Sequence, residues 1–259
     1  MEIKKILIIP DRDNIEFSLS MVKDYNCGFE YNDFFLPSVL DQKEHYEKII
    51  AFYKSQKDMP DYCTCHGAFF DVTVFSEDRL IREVSDYRVE QSLEIAVKLG
   101  AKGVVFHTNY TPNFFLESFR NSWVEKNFQY WSAKLSKYPM LNIYMENMFD
   151  MDYVLLERLA NKLSSYQNFG VCLDYAHACA FGDETEIDQW VKALGPYVKH
   201  IHINDNDFCS DLHLALGAGN IDWKKFKFHY NEYMSRATVL IETKGEDKIK
   251  SSLEFIKAL

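Results

Sequence analysis

Residues 78–107 read DRLIREVSDYRVEQSLEIAVKLGAKGVVFH. The stretch joins two elements of different type. From Asp78 to Leu99 the residues suit a long helix, and Gly100 follows as a residue that can close it in the left-handed conformation. Then GVVFH, residues 103–107, is a short apolar run rich in β-branched and aromatic side chains. That composition describes a buried strand. The strand ends in a histidine. Helix, glycine stop and buried strand with a polar end form a unit whose recurrence decides the fold.

The unit recurs in both directions. Strands are expected at 5–10, 28–35 and 62–66 before it, and at 141–146, 170–174, 199–203 and 238–242 after it. Helices are expected at 15–25, with Asp13 or Asn14 as cap, and at 41–56, 117–137, 153–164, 185–194, 222–233 and 247–258. Strict alternation means parallel strands joined by helices. Eight strand–helix pairs predict a closed (β/α)8 TIM barrel, and 259 residues is a usual length for one. The competing open, doubly wound sheet would carry a Gly-rich turn after its first strand, and PDRDN (10–14) stands there instead. No linker, low-complexity segment or tandem repeat divides the chain, so residues 1–259 are expected to form a single domain.

Hydrophobic residues make up 47% of the chain and the net charge is -10. The acidic total argues against a surface that wraps nucleic acid. Six cysteines, Cys27, Cys63, Cys65, Cys172, Cys179 and Cys209, show no C-x-x-C spacing and are expected to be buried, reduced thiols. No signal-peptide pattern and no apolar run of membrane-spanning length is visible, so a cytoplasmic protein with no membrane partner is expected. No helix stripe assigns an oligomeric state.

In barrels of this kind active sites lie at the C-terminal ends of the strands. Strand three ends in His66, strand four in His107 and strand five in Glu146. Strand six ends in Asp174, with His177 three residues on. Strand seven carries His202 and its loop carries Asp211 and His213, while strand eight ends in Glu242. Of the eight histidines only His45, His200 and His229 fall outside this set. Crowding imidazoles and carboxylates together without a cation would be costly. The set therefore points to a divalent metal, with imidazole suiting zinc and carboxylate suiting manganese or magnesium. Nine donors exceed the needs of one ion.

Around these positions stand CHG (65–67), VVFH (104–107), MEN (145–147), LDYAH (173–177), HIND (202–205), DLH (211–213), GAGNIDW (217–223) and IET (241–243). In combination they resemble the xylose-isomerase-like barrel superfamily, which holds the apurinic/apyrimidinic endonucleases (endonuclease IV) and many sugar isomerases and epimerases. The resemblance covers strands three to eight. Its endonuclease IV branch implies up to three zinc ions. His66, His107 and Glu146 would bind one, Glu146 would bridge to a second held by Asp174, His202 and Glu242, and His177, Asp211 and His213 would hold the third. The epimerase branch implies one ion on Glu146, Asp174, His202 and Glu242, with the two glutamates moving the proton. Its members commonly place an arginine where this chain has Asp211-Leu-His213, and they lack the histidines of strands three and four. The DNA-probing loop of endonuclease IV is rich in arginine and glutamine, whereas residues 30–42, EYNDFFLPSVLDQ, contain no basic residue. DNA is thus a less favoured partner than a small phosphorylated or sugar-type molecule.

Two reaction classes follow. One is hydrolysis of a phosphoester by a multinuclear zinc site. The other is isomerisation or epimerisation of a sugar or sugar phosphate on a single ion, with Glu146 and Glu242 as acid and base and His177 orienting the substrate. A third reading is a metal-stabilised binding protein. Tyr31, Phe34, Phe35, Phe69, Phe70, Tyr110, Phe114 and Phe115 fall near strand ends and either roof a pocket or serve ordinary packing. Lys244 and Arg12 are candidate phosphate contacts. Gly217 and Gly219 either bring backbone amides to a phosphate or simply turn the chain.

Overall fold

The structure, a computed structural model, describes residues 2–69, 71–110, 116–182 and 187–259. Eight strands close into a parallel barrel in sequence order. They are β1 (Ile6–Ile8), β2 (Gly28–Tyr31), β3 (Cys63–His66), β4 (Gly103–His107), β5 (Asn142–Glu146), β6 (Phe169–Asp174), β7 (Val198–Ile203) and β8 (Thr238–Ile241). The barrel shuts where β1 runs beside β8, with Ile6 opposite Val239 and Ile8 opposite Ile241. Around it lie α1 (Ile15–Tyr25), α2 (Pro37–Leu40), α3 (Lys43–Ser55), α4 (Arg79–Leu99), α5 (Glu117–Lys137), α6 (Val154–Leu163), α7 (Tyr175–Phe181), α8 (Ile187–Leu194), α9 (Trp223–His229) and α10 (Glu246–Ala258).

The deciding stretch folds as its residues require. Asp78 caps α4 by accepting from the Leu80 amide, and Gly100 ends it at φ 71. Asn14, rather than Asp13, caps α1 through its side chain. The core lies between strands and helices. Trp123, Trp131, Trp190 and Trp223 are all buried in it, from α5, α8 and α9. Such layers place the inward side chains of the strands in stacked tiers within the barrel.

Several boundaries differ from the sequence reading. β2 stops at Tyr31 rather than at residue 35, because the chain leaves the sheet towards Pro37, which opens α2. Residues 37–40 form a separate short helix before α3. Helix α7 was not expected. It starts directly from β6 because the Asp174 carboxylate accepts from the His177 amide and caps it. Beyond α9 the chain makes one π-helical turn, Tyr230–Met234. The start of the expected helix 185–194 lies outside the described residues, as do Phe70, Phe114 and Phe115. Five cysteines are buried and in no disulfide, but Cys209, in the loop after β7, is exposed. Among the described residues no helix is long and apolar enough to cross a membrane.

Candidate metal centre

All nine sequence-predicted donors meet at the C-terminal mouth of the barrel. They form three groups in which one ligand atom per residue lies within 4.8 Å of the others. The groups are His66, His107 and Glu146; Glu146, Asp174, His202 and Glu242; and His177, Asp211 and His213. Glu146 belongs to two of them. Its Oε2 stands 3.3 Å from His107 Nε2 and 3.7 Å from His66 Nε2, and its Oε1 stands 3.0 Å from His202 Nδ1. His177 Nε2 lies 3.3 Å from Asp211 Oδ2, which also meets His213 Nε2 at 2.9 Å.

Three of the five imidazoles are held in a common way, while His107 Nδ1 is buried with no hydrogen bond. His66 Nδ1 is 3.0 Å from the Gly67 carbonyl, His177 Nδ1 3.1 Å from the Asn147 carbonyl, and His213 Nδ1 2.7 Å from the Glu242 carbonyl. A carbonyl only accepts, so each Nδ1 carries the hydrogen and each Nε2 is turned into the cluster. Backbone or carboxylate acceptors hold metal-ligating histidines in this manner. His202 is reversed: its Nδ1 faces Glu146 and Glu242, at 3.0 and 3.3 Å.

Whether this set suits a cation is tested by its unmet polar atoms. Glu146 Oε2, Asp174 Oδ2, Glu242 Oε2, Asp211 Oδ1, His177 Nε2 and His202 Nδ1 are all buried without a hydrogen bond. Several lie close to an opposite charge, yet none is aligned with a donor. Buried polar atoms are normally satisfied, so this many in one cluster fit the donor shell of a metal. The electrostatics agree. Burial lowers the affinity of His177 for a proton, but Asp174, Asp211 and Glu146 outweigh it and push the pKa up to about 10. His213 is likewise raised to about 9, against burial, by Asp211 and Glu242. Burial lifts Asp174 to about 7. Glu146, despite its burial, is held well below the usual carboxylate range by His202 and His107. The cluster thus attracts positive charge to itself.

A cavity of about 280 Å³ opens beside the cluster. Its walls include Ile9, Phe35 and Phe69, and its cluster side is made by His66, His213 and Glu242. Lys244 and Lys248 complete it. The Lys244 ammonium sits 5.9 Å above the Phe35 ring. Of the candidate roofing aromatics, Phe35 and Phe69 line this cavity, whereas Tyr31 and Phe34 belong to the core. Arg12 lines a neighbouring hollow and pairs with Asp33 at 3.5 Å.

Of the two roles open to Gly217, the structure favours the turn. The Gly217 amide donates to Asp205 Oδ2 at 2.8 Å, and Asp205 also takes the Ile221 amide and the Trp223 indole. That amide serves the turn and is not offered to a phosphate. Gly219 is needed because a Cβ there would lie 2.4 Å from the Asn206 carbonyl.

One buried acid escaped the sequence reading. Glu30, in β2, is fully buried beneath the cluster. Its Oε2 accepts from Thr64 Oγ1 at 2.6 Å and meets His200 Nε2 at 3.0 Å, and its Oε1 lies 3.1 Å from His202 Nε2. A further potential metal group, Cys172 with His200 and His202, is taken up otherwise. Both His200 nitrogens are engaged, by Glu30 and by Thr238 Oγ1 at 2.6 Å.

Barrel, mouth and motifs together define a known class. The chain belongs to the xylose isomerase-like TIM barrel family, whose model matches residues 26–259. An uncharacterized protein of Methanocaldococcus jannaschii, MJ1311, is 26% identical over 72% of this chain, and the match spans 66% of that protein, just under two thirds. A protein named probable endonuclease 4, from Mycobacterium leprae, is 25% identical, covering 72% of this chain and 74% of its own. A crystal structure of a D-tagatose 3-epimerase-like protein superposes with a TM-score of 0.75 at 20% identity, over 98% of this chain and 96% of that one. The fold is thus shared with sugar epimerase-like proteins, and sequence relatives include one named as an endonuclease.

Proposed function

We propose that this protein is a metal-dependent hydrolase of a phosphoester on a small, sugar-type substrate, with residues 1–259 working as one domain. The observation that carries the proposal is the division of nine donors into three adjoining groups with Glu146 common to two. His66, His107 and Glu146 would hold one cation, Glu146, Asp174, His202 and Glu242 a second, and His177, Asp211 and His213 a third. The imidazole share favours zinc, and the carboxylate share also admits manganese or magnesium. Cations bound there would neutralise phosphoryl oxygens and lower the pKa of a water towards ~7.

The chain's own groups supply the remaining parts. Glu242 lines the cavity beside the cluster, so it is placed to orient a water and receive its proton. Phe35 and Phe69 offer flat apolar faces to a sugar ring. Lys244 and Lys248 bring positive charge to an anionic substrate in a chain of net charge -10. The cavity's size suits a small molecule rather than a duplex. Residues 30–42, two of which line the cavity, supply no basic side chain for a DNA backbone.

One observation favours a second reading. Glu146 and Glu242 approach the same His202 Nδ1, at 3.0 and 3.3 Å. On a single cation they would form the acid and base of a sugar isomerase or epimerase, with His177 orienting the substrate. Metal content per chain, measured by elemental analysis after zinc or manganese loading, separates the two. Two or three ions, with phosphate released from sugar phosphates or cleavage of abasic DNA, support hydrolysis. A single ion with ketose interconversion supports the isomerase. No bound metal under either condition overturns both.

A further inference from the structure

His202 differs from the other candidate ligands in two ways. It turns Nδ1, not Nε2, to the cluster, and its far nitrogen faces a carboxylate, where those of His66, His177 and His213 meet a backbone carbonyl and that of His107 has no hydrogen bond. We propose that Glu30 is the positioning residue for His202, taking its Nε2 hydrogen and so keeping the Nδ1 lone pair for a cation. This inference rests on the metal-centre reading above.

The geometry supports it from both sides of the contact. Glu30 Oε2 is fully used by Thr64 and His200. Glu30 Oε1 is buried with no aligned donor, and so is His202 Nε2. These two atoms stand 3.1 Å apart, off the line of the N–H, so a small rotation of the ring completes the bond. The acid itself cannot swing away. It is clamped by side chains of β3 and β7, and His200 is in turn fixed by Thr238 of β8.

A cation on Nδ1 requires that nitrogen to be free of hydrogen. The imidazole then keeps one hydrogen, and it must sit on Nε2. The Cys172 thiol also lies near this ring, as part of the same close group. A thiol is a weak acceptor, whereas a carboxylate makes a charge-assisted bond roughly twice as strong as a neutral one. Glu30 therefore decides the tautomer.

The substitution Glu30→Gln tests this with little change of shape. The amide oxygen keeps the site of Oε2, which meets both Thr64 and His200, so the amide hydrogens face His202 Nε2 and drive the remaining hydrogen of that ring towards Nδ1. Zinc affinity, measured by chelator competition, is expected to fall roughly 10–100-fold, as when an outer partner of a ligand is lost. Glu30→Asp, which keeps the charge, should recover part of that loss. Imidazole nitrogen NMR of the zinc-loaded native protein gives a second, independent readout. It should show His202 carrying hydrogen on Nε2 and metal on Nδ1. Native zinc affinity in folded Glu30→Gln, or the opposite tautomer in the native protein, overturns the inference. If Glu30→Gln does not fold, the native NMR decides. If the native protein itself binds neither zinc nor manganese, the metal-centre reading fails and takes this inference with it.

Discussion

Two histidine clusters in this protein use the same residue types and differ in how their polar atoms are met. On the outer layer, His229 of α9 places Nε2 2.6 Å from Asp188 Oδ1 and Nδ1 3.0 Å from the Tyr175 hydroxyl, while Lys225 closes on Asp188 at 3.0 Å. None of these side-chain atoms is left buried without a partner. At the mouth, His177 and His202 each keep a buried nitrogen with no hydrogen bond, and Glu146, Asp174, Asp211 and Glu242 each keep such an oxygen. The outer cluster is complete by itself. The mouth keeps buried polar atoms that a cation would satisfy. A histidine beside a carboxylate is therefore uninformative about function; unmet atoms converging on one point are what mark a site.

The strongest way to break this comparison is Glu146→Gln. Glu146 is shared by two groups, so the loss should exceed the roughly 10–100-fold drop in metal affinity typical of an outer partner. Elemental analysis after dialysis should find fewer ions per chain, with far-UV circular dichroism unchanged. Retention of the native metal content would remove Glu146 from the centre.

The next test sets the two clusters against each other by heat. Zinc at about 100 times its Kd should stabilise the native protein by about 2.7 kcal/mol. That corresponds to a rise in Tm of roughly 5–11 °C for a chain of this size class. His229→Gln should lower Tm in both conditions, by the ~1–3 kcal/mol typical of unsatisfied buried partners, and leave the zinc-induced rise intact. His177→Gln should instead shrink that rise. Equal responses from the two variants would mean that the outer cluster and the mouth do not differ in kind.

Much of this contrast was legible in the sequence, for a physical reason. A buried strand is a run of apolar residues, so a polar residue at its end is conspicuous, and GVVFH, LNIYME and GVCLD each advertise one. The residues that meet at the mouth could be read because barrel topology sends every strand end to the same face. Glu30 could not be read this way. It sits within GFEY, where a single acid in a four-residue strand looks solvent-facing, and its partners Thr64 and His200 lie 34 and 170 residues further along. Helix α7 was hidden because Asp174 serves two purposes. Its carboxylate caps the helix through Oδ1, and its other oxygen faces the cluster, so the residue reads as a strand end alone. The role of the Gly217 turn stayed open in the sequence for a related reason: the acceptor that claims its amide, Asp205, is itself in the motif that holds His202. Local pattern reports which face a residue occupies. It does not report which of several nearby acceptors takes a given hydrogen.

The smallest test asks whether burial alone can mimic the mouth. Asp150 is a buried acid in the loop after β5 that accepts from Thr108 Oγ1 at 2.6 Å and from the Met148 amide at 2.9 Å. It belongs to none of the metal groups. Burial pushes its pKa up to about 6, against the pull of these two donors. The sign follows from that direction. The folded protein holds the proton more tightly than the unfolded chain, so the contribution to stability is full below the ordinary value of 3.8 and is lost as pH rises through about 6. At pH 7 the ionised acid is thus a cost, on the order of 3 kcal/mol for a shift of this size. Asp150→Asn can keep accepting both hydrogen bonds while carrying no charge. Denaturant unfolding should find the variant more stable than the native protein by about 3 kcal/mol at pH 7, and equal to it near pH 3. Zinc should change neither difference. A zinc-dependent gap would show that Asp150 communicates with the centre through Thr108, the neighbour of His107, and the boundary between satisfied and unsatisfied acids would have to be redrawn to include it.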